Sequence, residues 1–103
     1  NNTLSYNEFS ASATWPTNMV YSKATMEAEN KNNSITYNEF FNFLYADVNS
    51  SGIFISDYNS SWIISGNSFS QSSTFEATGG AALSVIRIES NGDNFDISQN
   101  HIG

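Results

Sequence analysis

The 103-residue chain carries ten acidic and three basic side chains, a formal charge of −7 and no cysteine. Lys23, Lys31 and Arg87 are its only strong cations, too few for the basic patch that nucleic acid or an anionic membrane surface requires. The lack of cysteine excludes a disulfide framework and thiolate metal sites.

Forty of the residues are Asn, Ser or Thr and only 13% are charged, against about a quarter in ordinary globular domains. Such a polar, weakly charged surface suits an extracellular or cell-surface β protein. No apolar run approaches the ~18 residues of a membrane span, so no membrane insertion is expected in this segment. The length allows one domain, residues 1–103.

In chain order, the first recognisable phrase is "NNTLSYNEF", residues 1 to 9. Lys23–Glu29 is the best helix candidate, but spans only two turns. "NNSITYNEF", residues 32 to 40, then nearly repeats the opening phrase. "SGIFIS" (51–56) and "LSVIRIES" (83–90) alternate apolar and polar residues, as half-buried strands do. Between and after them come two weaker copies of the opening phrase, "SWIISGNSF" (61–69) and "NFDISQNHI" (94–102).

These copies align on one Asn each: Asn7, Asn38, Asn67 and Asn100, spaced by 31, 29 and 33 residues. Three residues before each Asn lies Leu4, Ile35, Ile64 or Ile97, and two residues after lies Phe9, Phe40, Phe69 or Ile102. Two further columns, Ala24/Ile53/Ile86 and Met26/Ile55/Ile88, line up without a gap. A period near 30 with short strands predicts an all-β parallel β-helix, or β-solenoid, of about three coils and roughly 31 residues each. Coils stacked about 4.8 Å apart would bring like residues together as interior columns, with an Asn ladder at one bend. A buried amide there can bond the backbone and the amides above and below it. Asn also tolerates the left-handed conformation that a bend needs.

The stretch "SGIFISDYNSSWIISGNSF" resembles the repeat of right-handed parallel β-helix proteins of the pectate-lyase-like superfamily. A narrower likeness is carried by "GNSFSQSSTFEATGGAALSV", which is similar to polymorphic outer-membrane and adhesin-type β-helices. Those pair a Phe-rich segment with a Gly-Gly-Ala-aliphatic motif, here Gly79–Leu83. The first resemblance implies a first strand at 24–26, 53–55 and 86–88, a second at Ile35, Ile64 and Ile97, and a third after the Asn. Long loops would then occupy residues 10–22, 41–52 and 70–84, where contacts with other molecules are expected. It also implies that an enzyme of this kind would work along the outer face of the first sheet.

On that face Thr25, Phe54 and Arg87 are expected, and Arg87 with Glu89 is the nearest approach to a catalytic site. Asp57 is the third candidate. The plainer reading is a surface ion pair on a strand, worth under about 1 kcal/mol. Paired carboxylates for glycoside hydrolysis must face one cleft, and Asp57, Glu89, Asp93 and Asp96 read more simply as turn or surface residues. "NGDNFD", residues 91 to 96, lacks the spacing of a calcium loop and predicts a turn. His101 stands alone among histidines. The residues thus favour a non-catalytic protein over an enzyme, and no cofactor or metal is expected.

Fifteen percent of the residues are aromatic. Trp15, Tyr21, Phe41, Phe43, Tyr45, Tyr58, Trp62 and Phe75 fall outside the interior columns. Some are expected to pack under loops and others to offer a surface for carbohydrate or protein. Asn32, Asn49 and Asn59 begin Asn-x-Ser/Thr triplets in expected turns or loops, candidate N-glycosylation sites of a secreted protein. Removing the Asn59 amide is expected to cost almost nothing.

The chain begins inside one copy of the repeat and ends just after another, so a fragment of a longer solenoid is expected. Neither end shows a capping element. Neighbouring coils, or copies of the chain stacked into a filament, are the expected partners of the open β edges. The function expected is structural or adhesin-like, a rigid extracellular rod with loop-borne contacts. A fragment of a polysaccharide lyase or glycoside hydrolase is the alternative.

Overall fold

The computed structural model describes residues 1–11, 15–45, 47–72 and 79–103. Among these the regular structure is entirely β. The first repeat contains β1 (Thr3–Ser5), β2 (Glu8–Ser10) and β3 (Asn18–Ser22). The second contains β4 (Asn30–Lys31), β5 (Ser34–Thr36), β6 (Glu39–Phe41) and β7 (Ser50–Ile55). The third contains β8 (Asn59–Ser60), β9 (Ile63–Ser65), β10 (Ser68–Ser70) and β11 (Leu83–Ile88). β12 (Asp96–Ser98) and β13 (His101–Ile102) complete the described strands.

Each strand pairs in parallel with its counterpart in an adjacent repeat. Sheet A has the order β1-β5-β9-β12, sheet B β2-β6-β10-β13 and sheet C β3-β7-β11, with a short β4-β8 pair beside them. Strands this short cannot stand alone; each is held by neighbours above and below. The resulting stack of parallel sheets is compatible with a β-helix.

Register follows the apolar columns in sheets A and B. Leu4, Ile35, Ile64 and Ile97 are successive partners, as are Phe9, Phe40, Phe69 and Ile102. Ile35, Phe40, Ile53, Ile55, Ile64 and Phe69 are essentially sealed from solvent. Burying each of them contributes about 1.5–3 kcal/mol. The Phe9–Phe40 and Phe40–Phe69 rings stack with centroids 4.9 and 4.7 Å apart, which adds about 0.5–1.5 kcal/mol per pair.

Sheet C departs from the gapless alignment. Val20 lies beside Ile53 and Ser22 beside Ile55, the places expected for Ala24 and Met26. Eight residues separate Ser22 from Asn30, whereas four separate Ile55 from Asn59, so the first repeat carries an insertion. Residues 24–28 absorb it as a turn closed by a Thr25–Ala28 bridge, and Met26 is 69% exposed. The Lys23–Glu29 helix does not form. The strands also reach further into the expected loops: Asn18–Ser22, Ser50–Gly52 and Leu83–Ser84 are all extended.

The bend before sheet B is also built differently. The left-handed residue is the one preceding each Asn: Tyr6, Tyr37, Gly66 and Gln99, with φ of 57°, 56°, 70° and 56°. The Asn is thereby freed to spend its amide on hydrogen bonds, while its predecessor makes the corner. A second left-handed column, Asn32, Ser61 and Asn94, with φ of 59°, 56° and 62°, turns the chain into sheet A.

Candidate functional site

The interior Asn column is the most ordered polar feature. Asn7 Nδ2 donates to Asn38 Oδ1 at 3.2 Å, Asn38 Nδ2 to Asn67 Oδ1 at 3.1 Å, and Asn67 Nδ2 to Asn100 Oδ1 at 3.0 Å. Each acceptor oxygen also takes the backbone N–H of the preceding Asn, at 3.0, 2.9 and 2.9 Å. The remaining amide hydrogens of Asn38, Asn67 and Asn100 go to the carbonyls of Leu4, Ile35 and Ile64. Asn38 and Asn67 are almost fully buried. A buried amide with its hydrogen bonds satisfied specifies register, because a slip would leave donors and acceptors unpaired at about 1–3 kcal/mol each.

A second interior amide lies at the opposite bend. Asn59 is 0% exposed, where an exposed turn was expected. Its Nδ2 donates to Ser56 O at 2.7 Å, Asp57 O at 3.0 Å and Ser22 O at 3.3 Å. Its Oδ1 accepts from the Ser22 hydroxyl at 2.8 Å, and Ser90 Oγ joins its backbone N–H and carbonyl at 3.0 and 2.7 Å. A glycan on this nitrogen would require tearing the amide out of the interior, so this triplet is not a usable acceptor in the folded chain. Asn32 and Asn49 are exposed; Asn49 Oδ1 accepts the Ala82 N–H at 2.8 Å. Asn59 carries no repeat phrase of its own; its sequence signal is the register Asn30–Asn59, which keeps the 29-residue offset of Asn38–Asn67 but meets Gly92 in the next copy.

The outer face of sheet C carries a column of Tyr21, Phe54 and Arg87. Tyr21 stands where Thr25 was expected. Its ring meets Phe54 edge-on at 5.3 Å, and the Arg87 guanidinium lies 4.6 Å from the Phe54 centroid. Arg87 is also paired with Glu89, both side chains being partly exposed. Asp57 turns instead toward Lys23, 3.9 Å away. Arg87, Glu89 and Asp57 are thus occupied in two surface pairs. Chemistry on an anionic sugar would need a free base and a separate acid, and these contacts do not supply that arrangement.

Asp93 and Asn94 sit in the turn before β12, where Asn94 Nδ2 donates to Asp93 Oδ1 at 3.3 Å. Asp96 begins β12, and His101 begins β13 as an exposed residue beside Ser68. Among the described residues no group of three metal-ligating side chains forms.

The aromatics divide clearly. Phe43 and Trp62 are core residues, although both fall outside the columns read from the sequence. Phe43 meets Phe69 edge-on at 5.7 Å. Trp62 is 7% exposed, and its indole N–H finds no acceptor among the described residues. Trp15 is fastened by its indole N–H to Asn42 O at 3.1 Å. Phe41, Tyr45 and Tyr58 are half-buried. Tyr6 and Tyr37 stack on each other at 5.4 Å on the outside of the bend. Phe75 lies outside the described residues.

An opening of about 370 Å³ lined by Leu4, Val20, Ile35 and Trp62 lies at the first-repeat end. Another of about 310 Å³ lined by Phe43, Phe69, Val85 and Ile102 lies toward the other end. Their apolar walls are the interior columns seen end-on.

In comparisons with known proteins, no family model, no curated protein and no solved structure matches the chain.

Proposed function

We propose that the chain is a non-catalytic segment of a parallel β-helix, with about three coils of roughly 31 residues and an Asn ladder. Its role would be that of a rigid rod in a structural or adhesin-like protein at the cell surface or outside the cell. The pectate-lyase-like superfamily is the kinship its repeat suggests. The observation that carries this reading is the contrast between interior and surface. Interior columns of Ile, Phe and Asn run through successive repeats, while Arg87, Glu89 and Asp57 are held in shallow surface pairs. The sequence invests in stacking, which gives stiffness, and not in converging acids and bases.

Contacts with carbohydrate or another surface protein would be made by the loops after sheet B and by the exposed aromatics. The two ends would be covered by neighbouring coils or by copies of the chain.

The test is an assay against acidic and neutral polysaccharides, following new reducing ends and unsaturated sugar products. No turnover is expected. Turnover that disappears in Arg87→Ala and Glu89→Gln would overturn the architectural reading and establish a carbohydrate-active enzyme fragment. Sedimentation over a range of concentrations tests the filament separately, with open-ended growth as its signature.

A further inference from the structure

The motif "NGDNFD" plays no part in the reading above, yet its first two residues are chemically distinctive. Asn91 is the only Asn in the chain followed by Gly; Asn33, Asn49, Asn59 and Asn67 are followed by Ser. Asn91 and Gly92 are both exposed and lie outside any strand, between β11 and β12. We propose that Asn91–Gly92 is a site of spontaneous covalent modification, in which the Asn91 amide is lost through a succinimide. Ser90 would restrain the rate.

The step is an intramolecular acyl transfer. The Gly92 backbone nitrogen, having lost its proton to solvent base, attacks Asn91 Cγ. The new N–Cγ bond closes a five-membered ring, the Cγ–Nδ2 bond breaks, and the leaving nitrogen departs as ammonia after taking up a proton. Water then opens the ring at either carbonyl, leaving aspartate or isoaspartate at position 91. No oxidant or cofactor is needed.

Three observations place this chemistry here. A side chain at position 92 would shield the attacking nitrogen, and the fold forbids one: a Cβ on Gly92 would run into the Asn59 carbonyl and approach the Ser60 Cβ to 2.9 Å. The unhindered residue is thus imposed by the close approach of this turn to the buried Asn59. The amides of Asn38 and Asn67, by contrast, are buried and hydrogen-bonded on both atoms. Lastly, the nucleophile has a specific restraint. Gly92 N–H donates to Ser90 Oγ at 3.2 Å, and that same hydroxyl is fixed by the Asn59 N–H and carbonyl. The bond is long for an N–H donor, so it slows the attack without preventing it.

The consequence reaches the interior. Either product adds a negative charge beside Asp93. Isoaspartate also lengthens the main chain by one methylene between Ser90 and Gly92, the two residues seated on Asn59. The turn can no longer keep both contacts, and the seating of β12 on β9 loosens.

The protein is held in warm, mildly alkaline buffer prepared with heavy-oxygen water and mapped by peptide mass spectrometry. The Asn91 peptide is expected to gain the mass of amide-to-acid conversion with one heavy oxygen, as two separable isomers. It should do so an order of magnitude faster than the peptide carrying Asn49, whose side chain is exposed but whose neighbour Ser50 is buried, its N–H bonded to Ala82 O. Ser90→Ala should accelerate the reaction several-fold in protein that remains folded by circular dichroism. Asn91→Gln, on the exposed turn, should fold normally and abolish it. Conversion at Asn91 no faster than at Asn49 would overturn the proposal. An unchanged rate in folded Ser90→Ala would overturn the restraint assigned to Ser90.

Discussion

The middle of the stack and its two ends carry similar apolar and Asn residues in the same columns, yet they are in different physical states. Ile64, in β9, is 0% exposed; Ile97, its partner in β12, is 45% exposed. Phe40 and Phe69 are sealed, while Ile102 in the same column is 63% exposed. Asn38 and Asn67 are buried, whereas Asn7 is open to solvent. A column position thus names the partner but does not confer burial. Within these columns burial requires a strand on both sides, and only the middle strands have a neighbour on each. Hydrophobic stabilisation scales with area removed from water, so the energy of this fold is concentrated in β5 to β7, β9 and β10.

Substitutions can break that contrast. Ile64→Ala removes a fully buried side chain and should cost about 3–4 kcal/mol, a cavity-forming loss. Ile97→Ala should cost under about 1 kcal/mol, because half the side chain already faces water. Equilibrium urea denaturation of both variants measures the difference, and similar losses would mean that the β12 end is covered in solution. Asn67→Ala leaves the Ile35 carbonyl and the Asn38 N–H without partners and should cost about 2–3 kcal/mol. Asn7→Ala should cost well under about 1 kcal/mol, since water replaces the lost bonds.

Asn59→Ala sharpens the comparison by asking whether the second bend matters as much as the first. It strips donors from three carbonyls and an acceptor from Ser22, so a loss of about 2–3 kcal/mol is expected. Parity with the exposed Asn49→Ala in a thermal melt would contradict the burial of Asn59. Gly66→Ala should cost about 1–2 kcal/mol, because φ is left-handed there. The new methyl would also come within 2.6 Å of the Tyr37 ring, which must shift. The smallest effect belongs to the surface. Arg87→Ala loses one exposed ion pair and one ring contact, under about 1 kcal/mol in total. Added salt should remove most of the difference in melting temperature between Arg87→Ala and the parent.

Much of this was legible because a repeat overdetermines its own register. The partners of Ile35, Phe40 and Asn38 follow from three or four copies agreeing at once. The first strand of sheet C was not legible. Four inserted residues after Ser22 push Ala24 and Met26 into the columns of Ile53 and Ile55, and a gapless comparison cannot see an insertion. Trp62 and Phe43 were missed for a related reason: each occupies the core in one repeat where its counterparts are different residues, Asn33 and Phe95 in the case of Trp62. Asn59 resembles any surface Asn because its partners, Ser22 and Ser90, lie 37 and 31 residues away.

The sequence by itself determined the period, the all-β character and the parallel pairing of like phrases. These are properties of composition and spacing, readable without coordinates. Only the tertiary structure decided which residue makes each corner, which Asn is buried and which column members are sealed. Those depend on the strand above and the strand below, and a position in the chain does not record whether both are there.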